Sequence, residues 1–143
     1  MTARSLTIAL VATALCAASV TATAQTVPPS VAVVAHAFGI ADGMFSPEQE
    51  QDIVGIAYQS AVARTCRGFE IDLEAYQGAV NALASTPDEL SAEETTFRDR
   101  IIMTVLGMAT GGFIADFAAN PGEFCEEADT FRSDFAGKTF FTN

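Results

Sequence analysis

The feature that most constrains the fold of this chain is a recurring helix-start motif. Ser46-Pro47-Glu48-Gln49, Thr86-Pro87-Asp88-Glu89 and Asn120-Pro121-Gly122-Glu123 each place a capping side chain before a proline, with Glu or Gln three residues after the cap. Ser91-Ala92-Glu93-Glu94 has the same spacing without the proline. Proline suits the first helical turn because its missing N–H has no helical partner there, and the cap and the third residue satisfy each other's backbone N–H groups. The motif predicts an all-α fold.

Apolar residues recur every three or four positions in four segments, at about 47–66, 72–84, 92–118 and 121–136. This spacing places them on one face of each predicted helix. Residues 27–43 stay open between helix and extended chain, because Val31, Val34 and Phe38 have helical spacing in a segment rich in β-branched residues. We therefore expect a small bundle of four to five helices. The residues predicted to face its core are Ile53, Val54, Ala57, Tyr58, Ala61, Val62, Cys66, Leu73, Tyr76, Val80, Leu83, Phe97, Ile101, Ile102, Val105, Leu106, Met108, Phe113, Phe117, Phe124, Ala128, Phe131 and Phe135.

The predicted third helix carries no charge between residues 101 and 115. A bilayer span needs about 20 apolar residues, so a buried helix in the middle of the bundle is the better interpretation than a membrane helix. Gly107, Gly111 and Gly112 indicate either a close approach by a neighbouring helix or a kink, and the sequence leaves both open. The C-terminal tail is expected to pack Phe140 or Phe141 loosely.

The first 24 residues have the order of a secretory signal peptide. Arg4 precedes an apolar run that ends in Ala22-Thr23-Ala24, an A-x-A cleavage site. A membrane anchor is the alternative, but the apolar run is short for a span. We expect cleavage between Ala24 and Gln25, leaving residues 25–143 as a single helical domain, located in the periplasm or secreted.

Cleavage would remove Cys16 and leave Cys66 and Cys125, both predicted on or beside apolar helix faces. Two cysteines in an exported domain predict one disulfide bond, with two free buried thiols as the alternative. No C-x-x-C pair is present that would favour redox catalysis.

The acidic composition limits the classes of partner. The formal net charge is −11, and loss of Arg4 would make it more negative. Nucleic acid and anionic lipid surfaces would repel such a chain, so protein partners are expected, with no stable membrane insertion. The acidity serves solubility or, alternatively, a response to acid, since protonation would reverse the sign of the net charge.

The sequence predicts no enzyme, cofactor or metal site. His36 is the sole histidine, which leaves no Ser-His-Asp or Cys-His arrangement with a credible acid partner. The acidic runs at residues 48–52 and 123–127 would bind a cation only weakly, because neither has the residue order of a calcium loop. Solvated helix faces are the simpler interpretation.

The region from Thr65 onward resembles the HdeA-type periplasmic acid-stress chaperones. The similarity lies in Cys66-Arg67-Gly68-Phe69-Glu70-Ile71-Asp72 followed by Tyr76-Gln77, and in Cys125 followed by Phe131-Arg132-Ser133-Asp134. The resemblance implies a protein that is passive near neutral pH, loosens in acid and covers unfolding clients. The competing hypothesis is a binding or inhibitor module that docks on one envelope protein through an acidic face.

Overall fold

The computed structural model describes residues 27–84, 90–135 and 139–142, and its architecture is all-α. Within these residues five helices follow one another: α1 (Pro29–Ala41), α2 (Pro47–Thr65), α3 (Leu73–Ala84), α4 (Ala92–Ala119) and α5 (Pro121–Asp134). The predicted small helical bundle is confirmed, and residues 29–41, left open by the sequence, are helical. The predicted signal peptide, its cleavage site at Ala24 and Gln25, and the motif beginning at Thr86 lie outside the described residues.

Capping boxes begin α2 and α4, as the motif predicts. The hydroxyl of Ser46 accepts from the backbone N–H of Gln49 at 3.3 Å, and the Gln49 side chain accepts from the Ser46 N–H at 3.0 Å. Ser91 and Glu94 make the same reciprocal pair at 3.3 Å and 2.9 Å. Each box satisfies two backbone donors that a helix start would otherwise leave unpaired.

Asn120 occupies the N-cap position of α5, as predicted, but the predicted side-chain cap does not form. Its side chain accepts no backbone hydrogen bond at the start of α5, and its amide donates instead to the carboxylate of Glu123. Asn120 also ends α4, where its N–H donates to the carbonyl of Asp116 at 3.0 Å. A residue before proline is pushed out of the helical region, so Pro121 forces this one residue to form the whole turn between the two helices.

Glu94→Gln is expected to weaken the acid dependence of stability. The pKa of Glu94 is lowered by hydrogen bonds from the hydroxyl and then the N–H of Ser91. Such a carboxylate stabilises the fold above its unfolded pKa of 4.5, and this contribution is lost as pH falls through the lower folded pKa. Glutamine can keep the capping box but does not titrate. The melting temperature should therefore fall less between about pH 6 and about pH 3 in this variant than in the parent.

Glu93→Gln is the matched control, because it removes a carboxylate from the same helical turn and leaves the capping box intact. Ser91→Ala should cost about 1 kcal/mol near neutral pH by removing the cap. Equal acid dependence in Glu94→Gln and the parent would contradict the role given to this carboxylate.

The first core cluster forms where α1 and α2 pack along α4. Its members at the centre of α4 are Ile102, Val105 and Ala109, all almost fully buried. Gly112 lies at the α1 crossing, where an added Cβ would be 3.0 Å from the Cα of Ser30 and 3.2 Å from the Cβ of Val33. The glycine therefore permits a close helix approach, whereas Cβ atoms at Gly107 and Gly111 would meet open space.

α4 contacts each of the other four described helices, as a helix in the middle of the bundle should, but it is less buried than predicted. The buried residues of α4 lie on one face, and Phe97 is 57% exposed. Within the described chain, α4 is also the one helix with the length and composition to cross a membrane, and 28% of its most apolar stretch is buried. Leu73 and Phe135, also predicted to face the core, are 77% and 48% exposed, because each lies at a helix end that neighbouring helices do not cover.

The second core cluster joins the end of α2 to α5 and the C-terminal tail. The Cys66–Cys125 disulfide crosses it, with the two Cα atoms 5.6 Å apart, so the predicted bond is present in the structure. Phe141 is buried and forms an antiparallel bridge with Ile71. The N–H of Phe140 donates to the buried Gln59 side chain at 2.6 Å. Phe140 and Phe141 are thus held firmly, contrary to the expected loose packing.

Candidate functional site

A cavity of about 820 Å³ opens where four separate segments of the chain meet. The start of α1 supplies Pro28 to Ser30, α2 supplies Tyr58, α4 supplies Phe113 and Asp116, and α5 supplies Phe124 and Glu127. We call it the aromatic–acidic cavity, because the side chains that define it are three aromatic rings and the carboxylates of Asp116, Glu123 and Glu127. Its described lining includes no lysine, arginine or histidine.

The floor of this cavity is an aromatic cluster centred on Tyr58. The Tyr58 ring lies 5.4 Å from Phe113 and 5.6 Å from Phe124 between centroids, in edge-to-face contacts. A third edge contact, to Phe131 at 5.3 Å, supports Tyr58 from within the second core cluster. Phe124 is buried, while Tyr58 and Phe113 are half-buried and accessible in part. Edge-to-face packing holds these rings in fixed orientations.

The carboxylates are positioned by the α4–α5 turn and by α1. Asp116 accepts a 3.0 Å hydrogen bond from the N–H of Ser30, so it caps the start of α1 from another helix. Glu123 accepts from the Asn120 amide within the turn. Glu123 and Glu127 are exposed and one helical turn apart on α5. Glu123 and Glu127 therefore lie on the solvent side of the cavity, whereas Asp116 is half-buried like the rings of Tyr58 and Phe113.

The pKa of the Tyr58 hydroxyl is raised both by burial and by a nearby carboxylate. Burial raises the pKa of Tyr58 to about 12, and the negative charge of Glu127 contributes in the same direction. At neutral pH the group is a phenol able to donate or accept a hydrogen bond. A perturbed titratable group within a cleft is a physical indicator of a binding site.

Tyr58 should ionise at about pH 12 in the folded protein. A phenol whose pKa is raised from 10.0 stabilises the fold below pH 10, and this contribution is lost as pH rises from 10 through about 12. Ultraviolet difference titration of the parent against Tyr58→Phe measures the ionisation, with circular dichroism to score only folded protein. Glu127→Gln should lower the ionisation midpoint of Tyr58 by less than exposing the ring to water would, because burial is the larger cause of the raised pKa. A Tyr58 midpoint at the ordinary tyrosine value while the protein stays folded would contradict this environment.

The sequence-predicted residues lie in different places relative to the cavity. Cys125 follows Phe124, so the disulfide ties the cavity floor to the end of α2. His36 is exposed on α1 and does not line the cavity. Of the two acidic runs, Glu123 and Glu127 contribute to it, whereas residues 48–52 lie at the start of α2. Across residues 27–84, 90–135 and 139–142, no group of three or more His, Cys, Asp or Glu residues is arranged to hold a metal ion.

A smaller cavity of about 470 Å³ lies between the start of α4 and Met44. Arg98 donates to the carbonyl of Met44 at 3.2 Å, and its guanidinium carbon lies 5.8 Å from the centroid of the Phe45 ring. Through these contacts Arg98 holds the start of α4 against the connection between α1 and α2, so this side chain has a structural role. We therefore regard the aromatic–acidic cavity as the candidate functional site.

Comparison of this chain with protein-family models, curated proteins and solved structures finds no match. The resemblance to the HdeA-type chaperones stays a prediction.

Proposed function

We propose that this protein is an exported binding module that docks on one envelope protein near neutral pH through its acidic face. The observation that carries the proposal is the aromatic–acidic cavity. At protein interfaces the residues that contribute most to binding lie in well-packed pockets, and a preformed cleft with aromatic walls provides such a pocket. Aromatic residues within such a cleft supply most of the binding free energy at protein interfaces, while surrounding charges select the partner.

Export is part of the same proposal. The signal-peptide pattern at residues 1–24 supports it, and so does the disulfide, because such bonds persist in oxidising compartments and are rare in the cytosol. The net charge of −11 favours a partner with a basic surface and speeds its association at low ionic strength. No residue is assigned a catalytic role.

An acid-responsive chaperone is the second candidate, favoured by the helix caps. Hydrogen bonds at the starts of α2 and α4 lower the pKa values of Glu48 and Glu94. Both carboxylates stabilise the fold near neutral pH and lose that contribution in acid. Loosening of these two helices would expose the first core cluster to clients while the disulfide keeps α2 joined to α5. This is the behaviour that the HdeA-type resemblance implies.

Two assays on the same preparation separate the candidates. The immobilised protein is incubated with envelope extract at neutral pH and at about pH 3, and aggregation of two unrelated denatured proteins is followed at both pH values. A binding module should capture one protein at neutral pH, release it at high salt and leave aggregation unaffected. A chaperone should suppress the aggregation of both clients, and only in acid. Client protection without a neutral-pH partner would overturn the first proposal and favour the second.

A further inference from the structure

We propose that the aromatic–acidic cavity binds an arginine side chain of the protein partner, an inference that rests on the binding-module function. Three carboxylates belong to the cavity, and its lining includes no basic side chain to neutralise them. The ligand that complements this arrangement is therefore cationic.

The spacing of the carboxylates favours an extended organic cation over a metal ion. Asp116 on α4 is engaged with the N–H of Ser30, and Glu123 is engaged with Asn120. The described acidic side chains of the cavity do not converge as a metal-ligand group. A planar guanidinium has five N–H donors directed outward in its plane, so it can pair with carboxylates that lie apart from one another.

The aromatic floor favours guanidinium over ammonium. Tyr58 and Phe113 are half-buried and present apolar aromatic surface to the cavity, and the buried Phe124 packs behind Tyr58. A guanidinium is weakly hydrated and stacks on aromatic rings, whereas an ammonium keeps its water more strongly. The Tyr58 hydroxyl adds a neutral acceptor next to the floor. A single arginine side chain can therefore stack on the rings and pair with the carboxylates.

The size of the cavity favours an arginine carried on a polypeptide. Its volume of about 820 Å³ exceeds that of a single side chain and leaves space for the adjoining backbone. The cavity lining includes exposed residues, among them Pro28, Pro29 and Glu123, so part of it is accessible to an incoming chain. We therefore assign the cavity to a protein segment, with the arginine as its anchor.

Calorimetric titration of the purified, disulfide-bonded protein tests this assignment with three capped pentapeptides that differ at the central residue: arginine, lysine or citrulline. Citrulline has nearly the shape of arginine without its charge. We expect the arginine peptide to bind about tenfold more tightly than the citrulline peptide, and more tightly than the lysine peptide. The double variant Glu123→Gln/Glu127→Gln should lose about tenfold in affinity. Glu74→Gln on α3, an exposed carboxylate outside the cavity, should bind as the parent does.

Equal binding of the arginine and citrulline peptides, or equal affinity of the double variant and Glu74→Gln, would overturn the proposal. If a free alkylguanidine binds as tightly as the arginine peptide, the claim that the ligand is part of a polypeptide is wrong. If one envelope protein is still captured at neutral pH while the arginine peptide does not bind, the arginine site fails and the binding-module function stands. If the arginine peptide binds at the cavity but the extract yields no partner, the binding-module function fails.

Discussion

Loss of the Cys66–Cys125 disulfide is expected to lower the free energy of unfolding by about 4 kcal/mol, because the bond closes a loop across a sequence separation of 59 residues. In a domain of this size the melting temperature should fall by roughly 10 to 20 °C. Removal of the bond should loosen α5 first, because the bond lies among the contacts between α5 and the end of α2. Arg132 remains as a second fastening, with its guanidinium carbon 4.3 Å from the centroid of the Phe69 ring and a 3.2 Å hydrogen bond to the Gly68 carbonyl.

Thermal denaturation of the parent with and without reductant measures this effect, and Cys66→Ala/Cys125→Ala serves as the control that reductant should not change further. Binding to the aromatic–acidic cavity should weaken in both reduced parent and double variant, because Phe124 and Glu127 are carried by α5. Two free thiols in the denatured, unreduced protein, or an unchanged melting temperature on reduction, would contradict the prediction.

Gly112→Val is expected to destabilise the fold by about 2 kcal/mol, the usual cost of overpacking a close contact. Even the first added carbon would lie 3.0 Å from the Cα of Ser30, and the backbone of α1 cannot rotate out of the way. Displacement of α1 would also weaken the hydrogen bond from Ser30 to Asp116. The effect should be seen in thermal denaturation and in faster proteolysis of α1.

Gly111→Val is the matched control one residue away. An added Cβ there meets no atom within 4 Å, and valine has a slightly better helix propensity than glycine, so stability should stay the same or rise by a few tenths of a kcal/mol. If the two variants are destabilised equally, the loss of stability comes from placing valine in α4 and not from the contact between α4 and α1.

The helix positions were accessible from the sequence because their starting signals are local. Pro47, Ala92 and Pro121 begin helices where the motif predicts, and the capping boxes at Ser46 and Ser91 form as expected. α1 was not decided by local signals. Its β-branched residues are compatible with helix or strand, and α1 packs against Gly112, which is more than 70 residues away in the chain, so local patterns do not include this contact.

The degree of burial was less predictable than the helices. Periodicity shows which residues share a face, but not how far the neighbouring elements extend over it. Phe97 lies on the predicted face of α4 and is nevertheless exposed, because it precedes the part of the helix that α1 and α2 cover. Val105, two turns later on the same face, is fully buried.

The candidate site combines two groups of residues that the sequence pattern separated. The pattern predicts a core position for Tyr58, Phe113 and Phe124 and a solvated face for the acidic residues of α5. Their meeting depends on the one-residue turn at Asn120 and on the docking of α1, neither of which periodicity describes. The sequence feature that could have indicated the site is the position of Glu123 and Glu127 on either side of Phe124 in a short helix.

Site-specific photo-crosslinking is the most direct test of the claim that this cavity is a docking site. A photoreactive side chain is introduced at Ala119, which lines the cavity and is exposed, or at Thr104, an exposed position on the same helix outside it. Each protein is illuminated in envelope extract at neutral pH. We predict one discrete protein adduct from position 119, absent at high salt, and none from position 104. Equal adducts from both positions, or adducts from position 119 that form only in acid with many proteins, would contradict the assignment of this cavity as a docking site.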